Sequence, residues 1–414
     1  MKSSSRRRPS RCVMPCHNWI KCTVSDCAEV RSGGTPATGN PRFWNGGIPW
    51  VTPSEVSKAG KYLEATVSSI SKEGLDNSSA ELLPINTVVM CSRATIGPRA
   101  ILKVPMTTNQ GFKNFICKEN LDPEFWYYYL DVVVPSFLSC ASGNTFKEVS
   151  KSDVEKTVIQ LPSLSEQRRL TAILSASDRV VESKQKLLDS KKRQKRALMR
   201  RLLEPNSGDV SDSRIKRTQW QAQKLGKLGY FVSGTGFPLS YQGCSTGDFP
   251  FFKVSDMNRI GNETFLVKTD NWISDATRKS LSAIAIPQDA IAFAKVGAAC
   301  LLERKRRLAR ASCLDNNMMA FVLESKDIDP AFMYLAFCFI RLSSSANLGT
   351  LPSINASSLK ERVVMVPPKS IQERIVAVLS AADREIDGLA REINAWKEKR
   401  KALSQLLLSG KVRV

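Results

Sequence analysis

Residues 161–179 read LPSLSEQRRLTAILSASDR, and residues 366–384 read VPPKSIQERIVAVLSAADR. Pro162, Gln167, Arg169, Ala172, Leu174, Ser175, Ala176, Asp178 and Arg179 recur, without a gap, as Pro367, Gln372, Arg374, Ala377, Leu379, Ser380, Ala381, Asp383 and Arg384. Identity held in register over such a length is an internal duplication, not shared composition. The duplication extends upstream. Trp19, SGGTP (32–36) and IPWVTPSEV (48–56) return as Trp220, SGTGFP (233–238) and FPFFKVSDM (249–257). TVVMCSRATIG (87–97) matches AIAFAKVG (290–297), an alignment that sets Arg93 opposite Lys295. The chain is therefore two diverged copies of one module, each ending in a better-kept segment. Diverged bodies with retained tails imply two different targets and one repeated docking element.

The retained tails read as helices. After Pro162 and after Pro367–Pro368, each copy runs almost free of Gly and Pro. In the second copy Leu379, Ala382, Ile386, Leu389, Ile393, Trp396, Leu403 and Leu407 follow coiled-coil spacing, interrupted at Arg400. The first copy keeps Leu174, Val181, Leu188, Leu198 and Leu202 at matching positions but carries Lys184, Lys191 and Lys195 at others, which predicts a weaker seam. Two such helices in one chain pair antiparallel about a pseudo-twofold axis. About 39 helical residues make roughly 58 Å, which would hold two modules about a DNA turn or somewhat more apart. The bodies, with short Val-, Ile- and Phe-rich runs between Gly, Pro, Asn and Ser, read as compact α+β domains. AFMYLAFCFI (331–340) is too short to span a bilayer and reads as a buried helix, like PEFWYYYL after Asp122.

A formal charge of +22 on 414 residues points to a polyanion, nucleic acid before membrane. Cys91, Cys117, Cys300 and Cys338 lie singly in apolar segments, as reduced cysteines do, and no secretory signal is visible, so a reducing cytoplasm is expected. Cys12, Cys16, His17, Cys22 and Cys27 match no usual paired-cysteine spacing, and residues 1–18 read as a disordered basic extension rather than a metal site.

Enzyme signatures are weak. NPRF (40–43) approaches the loop with which amino-methyltransferases hold a target amine, but Arg42 stands where proline is expected and no Gly-rich turn follows a strand. Asp289, Glu303 and Lys305 are nuclease-like residue types, yet Asp289 falls at the turn position of Asn86 and Glu303 opens a charged run. The one His and the absence of a Walker-type loop leave no His-based acid–base site and no ATP site.

Taken in order, SGGTP, NPRFWNGGIPWVTPSEV, SSISKEGLDNSSAELLP, SRATIG, TNQGF, SGNTFKEVSKSDVEK and LPSLSEQRRL resemble the specificity subunit of type I restriction-modification systems, over Trp19 to about Gly410. The resemblance implies an α+β fold with two duplicated target-recognition domains joined by two long antiparallel helices that form a coiled-coil spacer. With it go recognition domains over 19–160 and 220–365 and helical spacers over 161–204 and 366–410; the polar, breaker-rich stretch reads as a linker over 205–219, and the basic extension over 1–18 departs from the family pattern. The implied partners are double-stranded DNA, two methyltransferase subunits on the spacers and restriction (motor and nuclease) subunits, with no membrane. No cofactor is expected on this chain; S-adenosylmethionine, ATP and Mg belong to the partners. An autonomous adenine methyltransferase and a stand-alone DNA-binding regulator are the rival readings.

Base reading needs donors and acceptors on a rigid platform with cations around it. Candidates are Arg93, Asn109, Gln110 and Lys113 in the first domain and Lys253, Lys295, Asn316 and Asn317 in the second, each with an ordinary surface or turn role as the alternative. The run ERKRRLAR (303–310), with Arg304, Lys305, Arg306 and Arg307, reads as phosphate-binding, and KKRQKRALMRR (191–201) as either a solvated face or one turned to DNA or an acidic partner. The expected seam comprises Leu174, Val181, Leu188, Leu198, Leu202, Leu379, Ile386, Leu389, Ile393, Trp396 and Leu403.

Overall fold

The computed structural model describes residues 19–141, 147–203, 219–347 and 351–412. The basic extension with Cys12, Cys16 and His17, and all of the expected linker but its last residue, lie outside the described residues. The chain divides into two units, Met1–Lys186 with Arg391–Val414, and Leu187–Ala390. Each unit thus takes one body and one half of each long helix.

In the first unit a five-stranded sheet runs in the order Ala28–Ser32, Phe112–Cys117, Val88–Cys91, Arg99–Leu102, Tyr62–Leu63, antiparallel except for the last pair. One face carries the helix Pro123–Cys140, with Phe115, Phe125, Trp126 and Phe137 in the core between them. The other face buries Val51, Val89, Leu102 and Phe112 beside a three-stranded sheet of Ser68–Ile70, Trp44–Val51 and Thr107–Thr108. The strand Ile20–Thr23 pairs with Val158–Leu161 at the entrance to the long helix. The second unit repeats this order and these directions with Gly229–Ser233, Met318–Leu323, Ile291–Ala294, Lys305–Leu308 and Phe265–Leu266. Its three-stranded sheet is Trp272–Ile273, Phe249–Phe252 and Cys313–Leu314, its helix Pro330–Phe339, and its entrance pair Gln221–Lys224 with Val363–Val366. AFMYLAFCFI is accordingly a buried helix.

Local chemistry explains the shared frame. Asp122 and Asp329 each cap a helix whose first residue is proline, accepting from Phe125 N at 2.9 Å and from Ala331 N at 2.7 Å. Asn86 and Asp289 take left-handed φ values of 64° and 67° at equivalent turns, a conformation that Asn and Asp tolerate better than most residues. The hydrogen bonds also correct one alignment. Ser92 N donates to Gly111 O and Lys295 N to Asn317 O, while Val149 N donates to Ser92 O and Ile354 N to Lys295 O. Lys295 therefore occupies the place of Ser92, and Arg93 is matched by Val296. A shift of one residue turns a side chain to the opposite face of the strand, so Arg93 and Lys295 are not counterparts.

The long helices are Leu164–Leu203 and Lys369–Leu408, 40 residues each, and they pack antiparallel. Leu174, Leu188, Leu379 and Ile393 are buried, and Val181, Leu198, Leu202, Ile386, Leu389, Trp396 and Leu403 are half-buried. The C-terminal turn of each helix sinks into the core of the body that precedes the other helix: Leu407 and Leu408 join Leu170 and Leu174, and Leu203 joins Ile371, Ile375 and Leu379.

The charges that interrupt the apolar pattern are answered across the helix pair. Lys184 meets Glu392 at 2.7 Å and Lys191 meets Glu385 at 2.6 Å. Arg400 meets Asp178 at 3.0 Å, and Lys195 pairs with Asp383. The last two are one contact made twice, because Asp178 and Asp383, like Lys195 and Arg400, are duplicate positions. Pairs this exposed contribute about 0–1 kcal/mol each. They fix register while the buried leucines supply stability.

One polar side chain ties each helix to its body. Gln167 is wholly buried; its Nε2 donates to Asn120 O and Pro162 O, both at 2.9 Å, and its Oε1 accepts from Asp122 N at 2.8 Å. Gln372 does the same with Asp327 O at 3.2 Å, Pro367 O at 2.9 Å and Asp329 N at 2.8 Å. Replacing either by Leu keeps the volume but strands two carbonyls and one N–H, for an expected loss of about 2–4 kcal/mol. Urea unfolding should show each single loss, and the two should add in the double variant because they share no partner. Unchanged midpoints would show that the amide is not what holds helix to body.

Candidate nucleic-acid interface

In the first body, Arg93, Asn109 and Gln110 line one open cleft of about 410 Å³, together with Pro53, Ser54 and Gly111. Its walls come from the Thr52–Pro53–Glu55 helix start, the end of the strand Val88–Cys91 and the turn after Thr107–Thr108. Glu55 Oε2 accepts from Thr52 N at 2.8 Å and sets the first wall. Asn109 Oδ1 accepts from Gly111 N at 2.9 Å, so that side chain shapes the turn and presents Gln110 outward. Gln110 Oε1 accepts from Thr35 Oγ1.

Lys113, the fourth candidate of this body, is not on the cleft. It lies inside the five-stranded sheet, 5% exposed, with Nζ 3.9 Å from Glu148 Oε1. Burial lowers its pKa and the Glu148 carboxylate opposes that shift. It is an internal cation and is withdrawn as a DNA contact.

The second body places its candidates less tightly. Lys253 starts a short helical turn, its N donating to Asp256 Oδ2 at 2.8 Å and its Nζ to Gln242 Oε1 at 2.7 Å. Asn316 and Asn317 form an exposed turn in which Asp315 Oδ1 accepts from Asn317 N at 2.8 Å, as Asn109 does for Gly111. Lys295 is half-buried at the strand end.

The run 303–310 departs most from expectation. Lys305–Leu308 is an inner strand of the five-stranded sheet. Lys305 is 4% exposed, donating to Glu303 at 2.9 Å and to Ile340 O at 2.7 Å. Arg306 donates to Met257 O at 3.2 Å, and Arg307 pairs with Asp289 at 2.7 Å over the Phe265 ring. Lys305 and Arg307 thus face internal carboxylates, and Arg306 donates to two backbone carbonyls, so all three side chains are engaged within the body. Arg304, half-buried, and Arg310, exposed, remain.

The same contacts account for the nuclease-like residues. Asp289 answers Arg307, while Glu303 accepts from Leu342 N at 2.9 Å, Ser343 N at 2.8 Å and Lys305. Arg42 sits in a turn in which its N donates to Asn40 Oδ1 at 3.2 Å and its carbonyl accepts from Ser71 Oγ at 2.6 Å. Among the described residues no group of three or more His, Cys, Asp or Glu could hold a metal, and no helix is long and apolar enough to cross a membrane. Glu148, which faces both Arg93 and Lys113, is not legible as a candidate in the sequence: it lies within SGNTFKEVSKSDVEK, but only the fold brings it to its two partners.

Residues 17–190 and 218–396 both match the family model described as the type I restriction modification DNA specificity domain. The type I restriction enzyme MjaIX specificity subunit of Methanocaldococcus jannaschii is 26% identical over 414 residues, 96% of this chain and 94% of that one. The EcoR124I/EcoR124II specificity subunit of Escherichia coli is 28% identical over 168 residues, 39% of this chain and 41% of that one. Among solved structures, the S subunit of a type I restriction-modification system from M. genitalium matches with a TM-score of 0.54 at 17% identity, covering 94% of this chain and 96% of that chain. A chain from a structure describing complex assembly and conformational transition of the type I R-M system matches at 0.63 and 18%, covering 95% and 97%. These two are likenesses of fold. With the family model matched in both copies, over most of its length, the chain belongs to the type I restriction-modification DNA specificity family, as a DNA-recognition subunit and not a catalytic one.

Proposed function

We propose that the chain reads a two-part DNA target, each body taking one half, while the paired helices set the gap and dock two methyltransferase subunits. S-adenosylmethionine, ATP and Mg would reside on those and on the restriction subunits, in the cytoplasm. One observation carries the reading. At equivalent positions of one shared scaffold the rim has changed, Arg93 to Val296, Asn109 to Asp315, Gln110 to Asn316 and Gly111 to Asn317, whereas the glutamine latch and the cross-helix Asp pair are kept. A changed rim suits two different half-sites. Kept helices suit two like partners.

Exchanging residues 19–150 for the same region of a relative should change one half of the methylated sequence when partner subunits are supplied, and leave the other half and the gap alone. Four residues added after Gln185 alone would move Lys191 and Lys195 away from Glu385 and Asp383. Four residues added after both Gln185 and Ala390 keep these pairs and that of Lys184 with Glu392, and lengthen each helix by about 6 Å, or roughly two base pairs of gap. Mapping methylated adenines tests both claims; an exchange that altered both halves would overturn the two-reader assignment.

Binding by so basic a chain should weaken steeply with salt. Arg304→Gln with Arg310→Gln should flatten the slope of log affinity against log salt by up to about two, with base preference intact. Lys305→Ala should instead destabilise the second body by about 1–3 kcal/mol by leaving Glu303 and the Ile340 carbonyl without their donor. Anisotropy titrations across salt, alongside thermal melts, separate surface cations from internal ones.

A further inference from the structure

We propose that Arg93 reads a guanine in the major groove and that Glu148 is the positioning residue that aims it. The inference rests on the two-reader assignment and gives one position of the first half-site a base.

The backbone around Arg93 is fixed on both sides. Ser92 N donates to Gly111 O at 2.8 Å, Val149 N to Ser92 O at 3.1 Å and Ala94 N to Lys147 O at 3.0 Å, and Ala94 holds a left-handed φ of 62°. This is a platform, not a loose tip. The side chain is 51% exposed on the rim of the cleft, and its Nε lies 3.8 Å from Glu148 Oε2. Glu148 is anchored in turn, since its other oxygen faces buried Lys113 at 3.9 Å and leaving would strand that cation. Held from its Nε side, the guanidinium keeps its two terminal nitrogens without a hydrogen-bond partner among the described residues. A free planar fork of two donors is the shape that guanine O6 and N7 accept.

The carboxylate also decides between base and phosphate. A phosphate arriving at Arg93 would come close to the negative charge of Glu148, whereas the edge of a base carries no net charge. In the second body the equivalent residue is Val296, which has no donor, so the contact belongs to one half-site only.

The test is selection from a randomised double-stranded DNA library by the full-length chain, followed by sequencing of the retained DNA. The wild-type motif should contain a G·C pair at which Arg93→Gln loses discrimination by about 5- to 100-fold, with every other position, the second half-site and the salt slope unchanged. The untouched remaining positions of the first half-site report that the first body, which holds Arg93, is folded. Glu148→Gln should retain the guanine preference in weakened form and strengthen binding to unselected DNA, a change that a purely structural role would not produce. Uniform weakening of all sites by Arg93→Gln with a salt slope lower by about one would make Arg93 a phosphate contact and overturn the proposal. So would an unchanged motif, or loss at a base other than guanine. A wild-type chain that enriched no motif at all would instead overturn the two-reader assignment beneath it.

Discussion

The buried amide of Gln167, repeated as Gln372, is the contact on which the arrangement of each unit depends. A long helix leaves its first N–H groups unsatisfied, and a body must present some surface to receive it. The amide supplies both donors and an acceptor in one neutral group. It closes on the proline carbonyl five residues before it, on a loop carbonyl and on the N–H of the aspartate that caps the inner helix. Glutamate would lack the donors and leucine all three bonds. An amide neither gains nor loses a proton at neutral pH, so the latch itself does not titrate. Asp122 and Asp329 therefore serve twice, capping one helix with a side chain and receiving the other through the backbone.

The helix pair divides its work differently. Leucine and isoleucine on the seam supply stability through burial, worth about 1.5–3 kcal/mol for each side chain fully removed from water. The four half-exposed ion pairs add little to that sum, but they discriminate between registers, because a slip of one turn in either direction sets Lys184 against Gly388 or Trp396 instead of Glu392 and Lys191 against Ala381 or Leu389 instead of Glu385. The lysines that make the first helix look like the poorer partner are matched by acids on the second. Non-equivalence of the two helices is thus complementarity.

How far the chain could be read without coordinates follows from the range of each interaction. The duplication, the helices and the seam are written in local periodicity, and all three were legible. The cleft was legible in part: Arg93, Asn109 and Gln110 fall in turns that loops can present, and the fold does bring them together. Lys113 and Lys305 defeated the same reasoning, because a lysine in sequence reads as solvated while Glu148 and the Ile340 carbonyl arrive from distant segments to bury it, beside the neighbouring Glu303 in the case of Lys305. The alignment of Arg93 with Lys295 failed for a related reason. A basic residue shortly before glycine looks conserved in type, yet strand pairing with residues far along the chain sets the register, and it assigns that place to Val296.

The pattern of what changed and what stayed then has a physical cause. Side chains on the cleft rim make few contacts with the rest of their body; Gln110 touches Thr35, and Arg93 touches Glu148 at a distance longer than a hydrogen bond. Substituting them costs the fold little, so one scaffold can carry different rims. The strand hydrogen bonds beneath them, the left-handed turns at Asn86 and Asp289 and the glutamine latches are satisfied only by particular groups at particular places. A duplicated reader can therefore diverge in what it contacts while remaining the same object to whatever grips its helices.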